Sequence, residues 1–214
     1  MKFALIRGRV STTSLFVIAA LGVAIGLWAG ARWMSSDATP KTNIAVMYPA
    51  PLGIPDFTLQ RADGQAFTAA DLRGHWTIAF FGFTHCPDVC PTTLAAFKQV
   101  WARLAEHGKT EKVQFLFISV DPQRDTPEQL ARYIAFFNKD FIAATAADEE
   151  LTRLTRALGI LYLRVPDQAG GYSIDHSASA MIIDPEGRRA GMFRPPFAVE
   201  PISADILALV EASR

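Results

Sequence analysis

The chain has 214 residues, and Lys+Arg and Asp+Glu both total 21, so its formal net charge at neutral pH is zero. That balance gives no reason to expect nucleic acid as a partner, because a phosphate backbone calls for a basic surface. Half of the residues are hydrophobic and only two are cysteines, which excludes a disulfide-rich scaffold. With an N-terminal segment set aside, the remainder has the size of one ordinary domain.

Residues 15–31 (LFVIAALGVAIGLWAGA) carry no charge. Lys2, Arg7 and Arg9 precede the run and Arg32 follows it. About 17–20 such residues span a bilayer core as a helix. Trp28 and Trp33 lie near its outer end, where indole rings favour the interface, and the leading basic residues favour a cytoplasmic N-terminus. The run has no polar face, which argues against a buried core helix. Residues 1–33 are therefore predicted to be a single-pass membrane anchor. The alternative is a signal peptide cleaved at Ala29-Gly30-Ala31. Both readings export the globular part to the periplasm, or to the equivalent mitochondrial intermembrane space. Residues 34–53, with Pro40, Pro49 and Pro51, look like a linker, and 54–214 like the folded domain.

Along the domain, residues 57–67 suggest a hairpin turning at Asp63-Gly64. Residues 76–83 (WTIAFFGF) are a continuous apolar run of strand length, as for a strand buried on both faces, and 113–120 (VQFLFISV) read as a second buried strand. Between them Leu94, Phe97, Val100, Trp101 and Leu104 recur at helical spacing. Thr126 and Pro127 start another helix as cap and first residue. A short strand over 141–146 and a helix over 148–158, ended by Gly159, follow. Residues 161–165 and 172–174 are weaker strand candidates. Residues 180–184 and 189–193 flank Pro185-Glu186-Gly187 as a hairpin, and 202–212 close the chain as a helix. This alternation predicts an α/β domain with a central mixed sheet flanked by helices, on the thioredoxin-like plan.

Cys86 and Cys90 lie between a buried strand and a helix in FTHCPDVCP (residues 83–91). Spacing i, i+4 puts both sulfurs on one side of a helical turn. The free N–H groups and dipole of a helix start stabilise a thiolate there. Thiolates are soft ligands that suit Cu(I). A purely structural disulfide is the bland alternative. Closing so short a loop stabilises by roughly 2 kcal/mol, against about 4.7 kcal/mol for a hundred-residue loop. In a thioredoxin-like fold the loop entering the 180–184 strand packs beside this turn. His176 is therefore the candidate third ligand, and its neighbour Asp175 the candidate carboxylate that orients the ring. A surface or structural histidine is the alternative at that position. His85 is expected to face solvent, His75 and His107 to lie in loops, Asp88 to cap the helix or meet a partner, and Asp121 and Asp125 to serve as loop and cap residues.

These residues carry a resemblance to the Sco/SenC family, copper proteins involved in assembling cytochrome c oxidase. It extends from about Ile54 to the C-terminus and rests on FTHCPDVCP, SVDPQRDTPEQL (residues 119–130), YSIDHS (172–177) and the turn at 183–187. The resemblance implies a thioredoxin-like fold and copper held by Cys86, Cys90 and His176. It also implies delivery to the dinuclear copper centre of oxidase subunit II, or reduction of that centre's cysteines. Other copper-handling proteins are further partners to expect. Two other functions compete. A thiol–disulfide oxidoreductase would use Cys86 and Cys90 as a redox pair, but usually has two intervening residues rather than three and no use for His176. A peroxidase, which shares this fold, fits the close pair least. The metal role is transfer rather than turnover, so an enzyme is not expected.

Overall fold

We describe the protein from a computed structural model, which describes residues 12–34, 42–166 and 170–213. The chain divides into a short unit, residues 1–39, and a larger one, residues 40–214.

Among its described residues the short unit holds one helix, α1 (Thr12–Met34), of 23 residues. Its apolar side chains from Phe16 to Trp28 are exposed. Among the described residues, no helix is long and apolar enough to cross a membrane. The transmembrane helix expected over 15–31 is thus not found among the described residues. The run itself is helical throughout, within α1. Lys2, Arg7 and Arg9, on which the expected orientation rests, lie outside the described residues.

The larger unit runs β1 (Val46–Gly53), β2 (Thr58–Arg61), β3 (Ala66–Thr68), β4 (Trp76–Gly82), α2 (Val89–Glu106), β5 (Val113–Ser119), α3 (Pro127–Phe137), β6 (Ile142–Thr145), α4 (Asp148–Leu158), β7 (Tyr162–Pro166), β8 (Tyr172–His176), β9 (Ala180–Ile183), β10 (Arg188–Phe193) and α5 (Val199–Ala212). Eight strands form one mixed sheet in the order β1-β10-β9-β4-β5-β6-β2-β3. At its centre β4 and β5 pair in parallel, from Trp76↔Val113 to Gly82↔Ser119. All seven residues of β4 are buried. A strand covered on both faces has no solvent side, so its sequence is apolar without alternation. β9 pairs antiparallel with the other edge of β4, with Phe80 opposite Ala180.

The helices cover this sheet as their apolar periods dictate. Leu94, Phe97, Val100 and Leu104 form the buried face of α2, which packs on α5. Thr126 caps α3 by accepting the Gln129 N–H at 3.3 Å. Gly159 ends α4 in the left-handed conformation, φ +71°, which glycine adopts without a Cβ clash. Phe97, Phe115 and Phe141 stack through the core at centroid separations of 5.1 and 5.0 Å. Each such ring contributes roughly 2–3 kcal/mol by leaving water.

Two features depart from the sequence expectations. Residues 46–53, expected in the linker, form β1 and pair with β10, so the described fold includes residues well before 54. β1 is an edge strand, where Pro49 and Pro51 are tolerated because one side needs no ladder bonds. Its start is pinned by Asp205 of α5, a fully buried carboxylate. It accepts the backbone N–H groups of Asn43, Ile44 and Ala45, and the Asn43 side chain, at 2.6–2.9 Å. Secondly, β7 and β8 form a separate two-stranded sheet. That hairpin ends on His176.

Candidate metal centre

The two cysteines are positioned by the end of β4. After Gly82 the chain turns, and the Cys86 N–H donates to the Phe83 carbonyl at 3.2 Å. α2 begins at Val89, so Cys86 precedes the helix and Cys90 lies in its first turn. The Cys90 N–H, one of the helix's free donors, points to the Cys86 sulfur at 3.4 Å. The Cys86 sulfur thus does what a capping oxygen does elsewhere. Cys86 is half-buried, Cys90 is fully buried, and both thiols are free.

His176 arrives from the hairpin. Its Nε2 lies 3.5 Å from the Cys90 sulfur, and its ring meets Phe80 and Phe83 edge-on. Its Nδ1 lies 3.1 Å from the Ser177 carbonyl. A carbonyl only accepts, so this bond assigns the proton to Nδ1 and leaves the Nε2 lone pair facing the sulfurs. Burial holds the imidazole below its ordinary pKa, against the opposing pull of Ser177 and Asp175, which favours this neutral form. The ring is therefore oriented by the Ser177 backbone, and the role expected of Asp175 is corrected. Successive residues of a strand point to opposite faces; Asp175 is exposed while His176 turns inward.

Burial also pushes the Cys90 thiol well above its ordinary pKa, reinforced by the neighbouring Cys86. Desolvation penalises a bare thiolate, and a bound cation reverses that penalty. The sulfurs of Cys86 and Cys90 and a ring nitrogen of His176 all lie within 4.8 Å of one another. An ion bonded at roughly 2.0–2.3 Å to each donor fits between them after small adjustments. Two soft sulfurs and one imidazole suit Cu(I) in particular.

His85, Asp121 and Asp125 also lie within 4.8 Å of one another. Their carboxylate oxygens are already engaged. Asp125, fully buried, accepts from Thr84 N–H (2.9 Å), Thr84 O–H (2.6 Å) and Ser119 O–H (2.5 Å). Asp121, equally buried, accepts from Arg124 Nε (2.5 Å) and Tyr172 O–H (2.7 Å). This cluster holds loops together and is not an open site. His85 is exposed as expected. Asp88 occupies the α2 cap position but makes no side-chain bond to the helix backbone. The importance of Asp121, Arg124, Asp125 and Tyr172 is invisible in composition. The signal for Asp121, Arg124 and Asp125 is the polar stretch DPQRD directly after a predominantly apolar strand, and that for Tyr172 is the stretch YSIDHS.

The family model described as SCO1/SenC matches residues 47–211. The chain belongs to the SCO1/SenC family. A Stutzerimonas stutzeri protein named for copper binding is 34% identical over 169 residues, covering 79% of this chain and 82% of that one. The mitochondrial SCO2 homolog of Bos taurus is 34% identical over 177 residues, 82% of this chain and 66% of that protein. Bradyrhizobium japonicum ScoI, solved with copper bound, superposes with a TM-score of 0.68 at 33% identity, covering 74% of this chain and 99% of that one. The SCO1/SenC match takes in every residue of the Cys86, Cys90 and His176 cluster. It begins at residue 47, inside β1, in keeping with β1 as part of the fold.

Proposed function

We propose that this domain binds one copper ion through Cys86, Cys90 and His176 and delivers it to the dinuclear copper centre of cytochrome c oxidase subunit II. The observation that carries this is the convergence of two soft sulfurs and one imidazole, from segments 86 residues apart, within 4.8 Å of one another. The copper-bound relative and the family resemblance support the choice of metal and target. The Cys86 and Cys90 thiols give up their protons on binding, and neutral His176 supplies Nε2. Three protein donors leave room for a fourth from the partner. Cys86 and His176, both half-buried, are the donors that an incoming ligand replaces first.

A thiol–disulfide oxidoreductase is the second reading, favoured by the two free thiols lying side by side. Oxidation of the pair would form one S–S bond and release two protons and two electrons to an acceptor disulfide. It would also remove both thiolate ligands, so redox state would gate copper loading. Copper stoichiometry of the reduced full-length chain, loaded anaerobically beside His176→Ala, separates the two. One copper per chain with weaker retention in the variant supports the metal role. Negligible copper with readily cycling thiols supports the oxidoreductase.

The exposed apolar side chains of α1 support a further proposal, that this helix directs the chain to a membrane with the domain on the exported side. Membrane fractionation with and without residues 1–33, together with protease protection of the domain, tests it. Equal distribution of the two forms would overturn the proposal.

A further inference from the structure

The arm that carries His176 is attached differently from the arm that carries the cysteines. Among the described residues, β7 and β8 pair only with each other and share no ladder with the eight-stranded sheet. Strand pairing therefore does not set where His176 sits. Side chains do, and the attachment nearest the β5–α3 loop converges on Tyr172, the first residue of β8. The Tyr172 hydroxyl donates to Asp121 at 2.7 Å. Arg124 Nη1 donates to the Tyr172 carbonyl at 3.0 Å. The Arg124 guanidinium lies 3.9 Å from the centre of the Tyr172 ring and 5.8 Å from that of Phe83, whose own ring meets His176 edge-on. Asp121 and Arg124 are joined by an ion pair at 2.5 Å, with Asp121 fully buried.

The same turn holds the other arm. Asp125 bonds back to Asp121 through its N–H at 2.9 Å. Its carboxylate takes both donors of Thr84, two residues before Cys86. Residues 121–125 thus grip the cysteine loop with Asp125 and the histidine hairpin with Asp121 and Arg124, and none of the three supplies a donor to the metal cluster.

We propose that Asp121, Arg124 and Tyr172 form a latch that sets the position of His176, resting on the assignment of Cys86, Cys90 and His176 as the copper site. With the latch closed the site has three donors. With it released the hairpin stays tied to α4 through Arg164 and Asp148 while its His176 end is free to move away, and the cysteines, held separately through Asp125, keep a two-sulfur site. These are positioning residues that act on copper only through His176. Tyr172 and Arg124 are half-buried, so a docking protein reaches them from outside.

The test uses the full-length chain, with Tyr172→Phe removing one bond and Arg124→Ala removing the clamp. In the metal-free protein, amide exchange across residues 172–177 is expected to rise about tenfold in Arg124→Ala, and less in Tyr172→Phe, at unchanged exchange of Thr84 and Cys90. With copper, Arg124→Ala is expected to weaken retention about tenfold in the wild-type background and to add nothing in His176→Ala. Unchanged hairpin exchange in both variants overturns the latch. So does an Arg124→Ala loss that persists in the His176→Ala background. If Arg124→Ala fails to fold, Tyr172→Phe decides on the same two readouts. Equal copper retention by wild type and His176→Ala would sink the copper assignment instead, and amide exchange would still judge the latch.

Discussion

Gly82 lies so close to Cys90 that a Cβ on residue 82 would sit 2.6 Å from the Cys90 sulfur and 2.9 Å from the Phe117 ring. β4 thus ends on the one residue type that leaves space for the buried thiol. Gly82→Ala is expected to displace that sulfur and to cost about 1–3 kcal/mol, as overpacking does. Thermal unfolding and copper retention measured together check this. Loss of copper with little loss of stability would place the strain in the site itself, and no change in either would contradict the packing.

His176 gives the site a pH dependence whose sign is set by burial. Its folded-state pKa lies below the ordinary 6.5, so the unfolded chain takes up that proton first. The contribution to stability is complete above about pH 6.5 and is lost as pH falls through the depressed folded value. Protonation of Nε2 also removes a donor. Below about pH 6.5 the metal-free protein is expected to lose stability more steeply than His176→Ala, and copper retention to fall in the same window. Parallel melting curves of the two proteins would show no divergence if His176 did not titrate there.

Asp205 answers three backbone N–H groups and one side chain with a single buried carboxylate. Asp205→Ala leaves all of them without that acceptor and is expected to cost about 2–4 kcal/mol. Copper stoichiometry should stay unchanged, because no residue of the metal cluster is touched. Denaturant unfolding beside copper titration tests both halves.

Gly191 permits the close approach of β1. A Cβ there would meet the Val46 carbonyl at 2.5 Å and the Met47 Cα at 3.0 Å. Gly191→Ala is expected to push β1 off β10 at a cost of about 1–3 kcal/mol, with faster amide exchange confined to residues 46–53. Exchange rising equally across β9 would mean that the sheet yields elsewhere.

Much of this fold is legible because burial writes itself into local sequence. β4 and β5 appear as predominantly apolar runs, α2 and α4 as leucine and phenylalanine periods, and the caps at Thr126 and Gly159 as single residues. β1 is not legible, because Pro49 and Pro51 resemble a linker and its partner β10 lies far along the chain. Cys86, Cys90 and His176 are found from spacing and from the order of elements. What orients them is not. The Ser177 carbonyl is backbone and leaves no mark on residue identity, whereas the adjacent Asp175 invites a role that strand alternation denies it. Gly82 and Gly191 matter through atoms they lack. Asp121 and Asp125 look like ordinary loop carboxylates until their burial is known.

The grip of Asp205 on residues 43–45 spans about 160 positions, and β1 waits for β10 over a similar distance. A ribosome therefore releases the first strand of the domain long before either partner exists. β4, α2 and β5 are neighbours in sequence and are free to assemble as they emerge, whereas β1 has no ladder partner until β10 is made and no anchor at residues 43–45 until α5 is made. Contacts this distant in sequence are slow to close. The strand synthesised first is thus among the last to be locked, and a chain stalled short of β10 would carry the unpaired edge of β9 for chaperones to hold.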